Sequence, residues 1–371
     1  MRATVERSHL LKSLGHVHRV VERRNTIPIL SNVLLRAEGS NLTMKATDLD
    51  LEVTESVPAD IGQSGATTVP AHIFYEIVRK LPDGAEVSLD TGDGSQLALR
   101  AGRSNFTLQV LPETDFPDLT TGEFPTRFSL PAAALKKLID RTQFAISTEE
   151  TRYYLNGIYL HAVKVAGKPM LRAVATDGHR LAQAQMDAPA GSESMAGVIV
   201  PRKAVGEIQK LVEAPDAEVG IELSDTKIRL TIGSVVLTSK LIDGTFPDYV
   251  RVIPQGNDKI LKVDRGEFAS AVDRVSTISS ERGRAVKIAL SEGRMVLSVN
   301  NPDSGSATEE LGVDYPADAI EIGFNSRYLL DVAAQLETSA AEFRFADSGS
   351  PTLITDQGEL NALYVLMPMR V

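Results

Sequence analysis

The chain has 371 residues, a length that corresponds to about two to four domains of ~100–200 residues. Its 43% hydrophobic and 24% charged residues are typical of a soluble globular protein, and the absence of cysteine excludes disulfides, thiolate metal sites and a thiol nucleophile. The formal charge of -10 argues against a simple basic nucleic-acid binder, because phosphate affinity comes from clustered Lys and Arg.

A long internal repeat organises the chain, and each copy opens with an amphipathic helix pattern. Apolar residues recur at three- and four-residue spacing in VERSHLLKSLGHVHRVV from Val5, LPAAALKKLIDRTQFAI from Leu130 and VDRGEFASAVDRVSTIS from Val263. A strand pattern follows each of them, in ILSNVLLRAEG, YLNGIYLHAV and AVKIALSEG. A second strand then ends in a polar turn, in LTMKATDLDLEVT, LRAVATDGHRLAQAQ and MVLSVNNPDSGSATEEL.

A second helix recurs in VPAHIFYEIVRKLP, VPRKAVGEIQKLV and FNSRYLLDVAAQL. Pro70 and Pro201 stand where a first helical turn would begin, and Asn325 is a candidate N-cap. Two or three further strands close each copy, with related endings in FTLQVLPETDFPDL and LTSKLIDGTFPDYV, while the third copy ends in LYVLMPMRV. A period of roughly 120–130 residues is too long for a solenoid repeat of ~20–50. The repeat therefore predicts three α+β domains, over residues 1–122, 127–253 and 258–371.

In each predicted domain two helices pack on one face of antiparallel sheets, which leaves sheet edges that need partners. Tandem copies joined edge to edge form an arc with two free ends, and a twofold dimer would remove both, although physics alone does not fix how many subunits close a ring. The six helical segments carry sixteen Lys and Arg against nine Asp and Glu. This excess is typical either of a positive concave wall that faces phosphates or of ordinary solvent-facing side chains.

A set of segments spread over the whole chain resembles the bacterial β sliding clamps: VERSHLLK, RNTIPILSNVLL, ATDLDLE, RYYLNG, ATDGHRLA, VIVPRKAV, SKLIDGTFPDY, GFNSRYLLDV and YVLMPMRV. The resemblance implies three tandem DNA-clamp domains, closed into a six-domain ring by head-to-tail homodimerisation. It implies a non-catalytic processivity factor of the DNA polymerase III holoenzyme, which encircles double-stranded DNA without sequence preference. The implied partners are the replicative polymerase alpha subunit, the clamp loader, other polymerases, mismatch repair proteins and DNA ligase. Linear motifs of these partners would bind a hydrophobic cleft between the second and third domains.

Carried over residue by residue, the resemblance implies three sites. The cleft would comprise Leu155, Thr176, Gly178, His179, Arg180, Leu181, Pro247, Arg251, Val252, Asn325, Tyr328, Val365, Leu366, Met367, Pro368, Met369 and Arg370. DNA would contact Arg24, Arg152, Tyr153 and Tyr154, with His72 and Glu149 at positions where the family can carry basic or amide residues. In the dimer, Phe106 and Leu108 of one subunit would pack against Ile278 of the other, next to Thr277, which replaces an apolar residue. Gly283 stands where the family often has a bulky residue, so one wall of the cleft would be lower.

Two other classes of function compete with a clamp. Asp177 and His179 in TDGHR suggest a hydrolase or a metal site, but one His and one Asp are too few ligands for a metal. A tight turn at Gly178 is the simpler interpretation of this segment. A plain repeat scaffold without a DNA partner is the third class. No Walker A or dinucleotide loop is present and the six histidines are scattered, so we expect no cofactor and no metal.

Three further expectations concern local features. Tyr153 and Tyr154 would either contact DNA or be ordinary strand residues, one facing in and one out. The terminal MPMRV is apolar enough that docking in a groove is favoured over a frayed end. The charged N-terminus and the lack of a run of roughly 20 apolar residues predict neither a signal peptide nor a membrane span, so we expect a cytoplasmic protein.

Overall fold

The computed structural model of the chain describes residues 1–92, 94–119, 122–212, 214–279, 284–358 and 361–371. The α-helices of this part are α1 (Arg7–Val17), α2 (Ala71–Lys80), α3 (Ala132–Asp140), α4 (Arg202–Leu211), α5 (Arg265–Ser276) and α6 (Ser326–Ala333). No helix in these ranges is both long and apolar enough to cross a membrane.

The strands follow the repeat. Those of the first copy are β1 (Arg2–Glu6), β2 (Asn32–Glu38), β3 (Asn41–Thr47), β4 (Leu51–Pro58), β5 (Asp60–Gln63), β6 (Gly65–Pro70), β7 (Glu86–Asp90), β8 (Gln96–Ala101) and β9 (Ser104–Gln109). Those of the second are β10 (Thr126–Pro131), β11 (Gly157–Val165), β12 (Lys168–Thr176), β13 (Arg180–Asp187), β14 (Val198–Pro201), β15 (Glu218–Leu223), β16 (Lys227–Ile232) and β17 (Val235–Lys240). Those of the third are β18 (Lys259–Asp264), β19 (Ala285–Ser291), β20 (Arg294–Asn301), β21 (Gly305–Gly312), β22 (Ile320–Asn325), β23 (Ala340–Phe345), β24 (Thr352–Asp356) and β25 (Ala362–Leu366).

The chain folds into two compact units. The first contains Met1–Ala133 and Gly206–Leu241, and the second contains Ala134–Val205 and Ile242–Val371. The second copy of the repeat therefore contributes strands to both units: β10, β15, β16 and β17 to the first, and β11 to β14 to the second.

Two antiparallel sheets build the first unit. One has five strands in the order β5-β1-β7-β8-β9, and the other has eight in the order β10-β15-β16-β17-β4-β3-β2-β6. Helix α1 packs on β4 and on α2, and its Leu10, Leu14 and Val17 are fully buried. Phe74 and Val78 of α2 are buried as well. The apolar spacing that predicts these helices therefore marks the face that each one buries.

The second unit also has two antiparallel sheets. Eight strands follow the order β14-β11-β12-β13-β25-β24-β23-β18, and four follow the order β21-β20-β19-β22. Helix α5 packs against α6, β20 and β21, and it buries Phe268, Val272 and Val275. Leu329 and Val332 are buried on α6.

Both eight-stranded sheets join strands from neighbouring copies of the repeat. In the first unit β4 pairs with β17, with Val53 opposite Leu237. In the second unit β13 pairs with β25, with Leu181 opposite Val365. These pairings confirm the expectation that tandem copies continue a sheet edge to edge. Each pairing is favourable because it satisfies the backbone groups of two edges at once.

Element boundaries differ from the sequence prediction in a regular way. The first helix of each copy begins two residues later than predicted, because the residues assigned to its start end a short strand: β1, β10 or β18. Pro70 and Pro201 stand where a helical turn begins, as predicted, since α2 and α4 start at the next residue and Pro70 is the N-cap of α2. They end β6 and β14, which are edge strands, where the missing N–H of proline leaves no ladder partner unsatisfied. Asn325 is an N-cap as predicted, since its side chain accepts a hydrogen bond from the N–H of Arg327.

The turn that follows the second strand pattern is built in the same way in the first two copies. Thr47 Oγ1 donates to the carbonyl oxygen of Leu51 at 2.9 Å, and Thr176 Oγ1 donates to that of Arg180 at 2.7 Å. The third residue of each turn has a left-handed backbone, with φ of 79° at Leu49 and 88° at Gly178. Glycine adopts this conformation without strain, whereas leucine does not.

The strained turn in the first unit gives a prediction. Leu49→Gly is expected to raise the free energy of unfolding by about 0.5–1 kcal/mol, because relief of the left-handed strain exceeds the entropy cost of a glycine. Thermal denaturation of the purified protein measures the change. Ile27→Gly is the matched control, since Ile27 is also exposed but has φ of -104°, and it is expected to lose stability. A Leu49→Gly variant less stable than the parent would contradict the strain.

Candidate functional site

Arg180, at the start of β13, joins the turn to the neighbouring helix in the second unit. Its Nε donates to Asp177 Oδ2 at 3.0 Å, its Nη1 to Asp331 Oδ2 at 2.6 Å, and its Nη2 to the carbonyl oxygen of Phe144 at 2.6 Å. The ring of Tyr328 lies 4.1 Å from the guanidinium carbon, and burial raises the pKa of this tyrosine. The guanidinium therefore braces the turn against α6 by charge-assisted hydrogen bonds and a cation–π contact.

The Asp177 carboxylate is used by the turn itself. Its Oδ1 accepts from the N–H groups of His179 at 2.9 Å and Arg180 at 3.0 Å. With Oδ2 on the Arg180 side chain, the carboxylate has a structural role, and the tight-turn interpretation of TDGHR is confirmed. Within the described ranges no three His, Asp or Glu side chains are grouped to hold a metal.

A buried apolar cluster surrounds the β13–β25 pair. Its buried members are Leu155, Val174, Leu181, Ile199, Phe246, Tyr249 and Val365. These side chains come from the second and third copies of the repeat, so the cluster depends on the sheet pairing between them. It supplies a rigid base for the more exposed residues around it.

One exposed segment next to this cluster is the 3₁₀ turn Tyr249–Val252. Tyr249 points into the cluster, while Val250 and Val252 remain 52% and 49% exposed. Arg251 Nε lies 2.7 Å from Asp248 Oδ2. The turn thus presents two valine side chains to solvent, with the preceding Pro247 also exposed.

The C-terminal segment is the second exposed element, and it is held in place by backbone hydrogen bonds. The N–H of Met367 donates to the carbonyl oxygen of His179 at 2.9 Å, and the N–H of Met369 to that of Gly323 at 2.8 Å. A Cβ at Gly323 would overlap the Val371 side chain, so only glycine permits this approach. The expected docking of the terminus is confirmed, although Met367 stays 40% exposed.

Contacts link most parts of the predicted cleft. The turn at Thr176–Arg180 meets the C-terminal segment through His179 and meets α6 through Arg180, while Leu155, Leu181 and Val365 share one cluster. All residues assigned to the cleft lie in the second unit. The exposed methionines and valines offer an adaptable apolar surface of a kind suited to several ligands. Gly283 lies outside the described residues.

Four of the residues assigned to DNA contact lie close together in the second unit. Tyr153 and Tyr154 belong to the 3₁₀ segment Glu150–Leu155, which is kinked at Arg152 with φ of -109° and ψ of 50°. The alternative that they are strand residues was therefore wrong, because β11 begins only at Gly157. Tyr153 is 54% exposed. Glu149 holds Arg152 by a two-pronged contact, with Nε to Oε2 at 2.8 Å and Nη2 to Oε1 at 2.6 Å.

The other two residues assigned to DNA contact lie in the first unit. Arg24 is exposed, and within the described ranges it forms no ion pair. His72 lies on α2, and its Nε2 is 2.9 Å from the carbonyl oxygen of Val21, which makes this nitrogen the donor. The imidazole is therefore tied to the end of the segment that follows α1.

The residues assigned to the dimer interface lie on two outer elements. Phe106 and Leu108 lie on β9, the last strand of the five-stranded sheet; Phe106 is half-buried and Leu108 is buried. Thr277 is exposed at the C-terminal end of α5, and Ile278 is half-buried beside it.

Sequence reasoning missed a polar row that joins the buried cluster at Tyr249 and is formed by His161, Arg172, Gln185 and Tyr249. These residues are separated by many positions in the chain, and only strand register brings them together. The alternation of polar and apolar residues in β11 and β12 marks a face of the sheet without identifying a partner on another element.

Three family models match the chain in order. They describe the N-terminal domain of the DNA polymerase III beta subunit over residues 1–120, the central domain over 129–248 and the C-terminal domain over 250–370. The beta sliding clamp of Caulobacter vibrioides is 55% identical over 372 residues, with 100% of both chains covered.

Solved structures agree with these matches. A sliding clamp (DNA polymerase III subunit beta) from Bartonella birtlesii bound to griselimycin is 60% identical, with a TM-score of 0.98 over 100% of both chains. The Caulobacter crescentus beta sliding clamp, with PEG bound to a putative beta-motif tethering region, is 55% identical with a TM-score of 0.98. It covers 100% of this chain and 99% of its own. The three tandem clamp domains of mixed helix and antiparallel sheet predicted from the sequence are confirmed.

The brace at Arg180 gives a second prediction. Arg180→Lys is expected to lower the free energy of unfolding by about 2 kcal/mol, because one ammonium cannot replace three guanidinium contacts to partly buried acceptors. Chemical denaturation measures the loss. Arg294→Lys, in the exposed pair with Glu310, is the control and is expected to change stability by less than about 0.5 kcal/mol. Equal effects in the two variants would contradict the role of Arg180.

Proposed function

The chain belongs to the family of DNA polymerase III beta subunits, the non-catalytic sliding clamps that serve as processivity factors, and we propose that two copies close head to tail into a ring around duplex DNA. The ring would slide along DNA and tether the replicative polymerase, so that a released polymerase rebinds before it diffuses away. Because such a ring acts on chromosomal DNA, we expect the protein to be located in the cytoplasm.

The observation that supports the ring is that two of the eight strands that end a sheet in the described part of the chain, β9 and β21, lie at the residues assigned to the dimer interface. The pairings between copies join β4 to β17 and β13 to β25, whereas β9 ends the five-stranded sheet and β21 ends the four-stranded sheet. Phe106 lies on β9, and α5, which ends next to Thr277 and Ile278, packs on β21. Pairing of β9 in one subunit with β21 of the other would satisfy both edges twice in a head-to-tail dimer.

The contact with DNA would be weak and independent of sequence. On α1 and just after it, Lys12, Arg19, Arg23 and Arg24 are exposed, and among the described residues they form no ion pairs. Such cations attract phosphates by release of counterions, and a handful of them allows sliding. We assign further contacts to Arg152, which stands at a kink and is held by Glu149, and to Tyr153 and Tyr154 directly after it.

His72 and Glu149 are assigned to the DNA-facing surface as well, in supporting positions. The hydrogen bond of His72 to Val21 anchors the segment that leads to Arg24, and Glu149 orients Arg152. Both side chains already have a partner in the chain, so their expected contribution is to position the cationic residues.

The exposed apolar surface of the second unit would bind short linear motifs. We assign it to the replicative polymerase alpha subunit, the clamp loader, other polymerases, mismatch repair proteins and DNA ligase, each of which would compete for it. Val252 and Met367 would contact the motif directly, and the buried cluster beneath them would remain unchanged. We place the three domains at residues 1–122, 127–253 and 258–371, close to the ranges of the family models.

Retention on DNA tests the ring. Protein loaded by its clamp loader onto nicked circular DNA is expected to stay bound at high salt and to be lost when the circle is cut, because a closed ring leaves only over an end. Gel filtration of the DNA before and after cutting measures the bound fraction. Loss at the same rate from circular and linear DNA would rule out topological binding. Arg23→Glu with Arg24→Glu is expected to slow loading without shortening retention, because phosphate contacts promote association with DNA whereas retention depends on the closed ring.

Peptide affinity tests the cleft. Met367→Ala is expected to weaken binding of a synthetic peptide carrying the clamp-binding segment of the cognate polymerase by about tenfold, because the substitution removes a large exposed apolar side chain. Isothermal calorimetry gives the dissociation constant. Val165→Ala truncates an exposed valine at the end of β11 and is expected to leave affinity unchanged. If both variants bind like the parent, this surface is not the peptide site.

A further inference from the structure

One row of polar side chains crosses three neighbouring strands of the second unit. His161 on β11 lies opposite Arg172 on β12, and Arg172 lies opposite Gln185 on β13. Arg172 donates to Gln185 Oε1 from Nε at 3.0 Å and from Nη2 at 2.8 Å. Its Nη1 donates to the hydroxyl oxygen of Tyr249 at 3.0 Å. The last hydrogen bond therefore connects the sheet to Tyr249, the first residue of the 3₁₀ turn Tyr249–Val252.

The direction of the hydrogen bonds made by Arg172 follows from the chemistry of the groups. A guanidinium has only donors, so the oxygen of Tyr249 accepts from Arg172 and its own proton points elsewhere. His161 Nε2 lies 3.0 Å from the same oxygen, and we assign this nitrogen as the acceptor for that proton. This requires a neutral imidazole, and burial together with the charge of Arg172 lowers the pKa of His161 to about 4. The hydroxyl is therefore held from both sides.

The ring of Tyr249 is held as well. It packs edge to face on His161, with centroids 5.7 Å apart, and on Phe246 at 6.4 Å. Tyr159 stacks on both of these, at 4.4 Å from His161 and 4.8 Å from Phe246. Only Tyr249 of the turn is fixed in this way, since Val250 and Val252 are about half exposed.

The backbone of the turn adds little rigidity. The N–H of Arg251 is 3.4 Å from the carbonyl oxygen of Asp248, and that of Ile253 is 3.3 Å from that of Val250. Both distances exceed the usual range for N–H···O bonds. The ion pair of Arg251 with Asp248 across the turn is exposed to solvent and therefore weak. The anchoring of Tyr249 is thus the main buried restraint on the turn that presents Val250 and Val252.

We propose that the row His161–Arg172–Gln185 acts through the Tyr249 hydroxyl to position the 3₁₀ turn as one wall of the peptide cleft, and so sets the affinity of the cleft. The inference rests on the proposed peptide-binding function. Tyr249 and His161 are positioning residues in this scheme: they touch no ligand, and they reduce the freedom that the turn would otherwise lose on binding.

Removal of one oxygen atom tests the scheme. Tyr249→Phe keeps the ring packing and deletes the hydroxyl, and it is expected to raise the dissociation constant of the polymerase peptide three- to tenfold, the range of one hydrogen bond. Hydrogen exchange of the Arg251 and Ile253 amides is expected to become faster. His161→Leu removes the acceptor and is expected to match Tyr249→Phe, with no further loss in the double variant.

Rescue separates positioning from general stability. His161→Gln keeps an acceptor oxygen near the hydroxyl, and it is expected to bind peptide within about twofold of the parent. Tyr315→Phe is the matched control, because Tyr315 is buried in the same unit and its hydroxyl donates to the Asp318 carbonyl oxygen at 2.6 Å. It is expected to lower the melting temperature and to leave peptide affinity unchanged.

The outcomes separate the two proposals. If the parent binds no peptide, or Met367→Ala has no effect, the cleft and the inference both fail. If Met367→Ala weakens binding and Tyr249→Phe does not, the cleft stands and the positioning role is overturned. Equal losses of peptide affinity in Tyr249→Phe and Tyr315→Phe would also overturn the positioning role. If Tyr249→Phe does not fold, the peptide affinities of His161→Leu and His161→Gln are compared instead. Equal peptide affinity of these two variants overturns the positioning role, and weaker binding by the leucine variant supports it.

Discussion

The hydrogen-bonding demand of strand edges is the constraint on which the rest of this structure depends. Each copy of the repeat has sheets whose outer backbone groups need partners, and antiparallel pairing of β4 with β17 and of β13 with β25 meets that demand within each unit. These pairings place strands from different copies in one sheet. They also bring together the segments that follow those strands, and the candidate peptide surface arises there as a consequence.

The two junctions share a plan and differ in chemistry. Because the turns at Thr47–Leu51 and Thr176–Arg180 correspond, Glu52 stands in the first copy where Leu181 stands in the second. Burial raises the pKa of Glu52, which accepts from the N–H of Leu119 and lies 3.3 Å from Lys45 Nζ. The first junction therefore buries a charged network. The second keeps an apolar cluster, and apolar side chains around it remain exposed.

Rigid and adaptable parts alternate at the second junction. Arg180 fixes the turn through two carboxylates and a carbonyl oxygen, and Tyr249 is fixed by rings and by its hydroxyl. Between them Met367 and Val252 are exposed, and methionine in particular adjusts its shape at low cost. Such a surface can bind different sequences without a rearrangement of the fold, which is suited to a site that several partners share.

The sequence by itself determined the repeat, the order of helices and strands in each copy, the Asn325 cap and the turn at Gly178. These features depend on local periodicity and on backbone preferences that single residues express. It did not determine that Tyr153 and Tyr154 leave the strand for a 3₁₀ helix, or that Pro70 and Pro201 end edge strands. The sequence also did not determine the row of hydrogen-bonded side chains from His161 to Tyr249. Only the tertiary structure decided these, because they depend on strand register and on contacts between residues far apart in the chain, which no local pattern encodes.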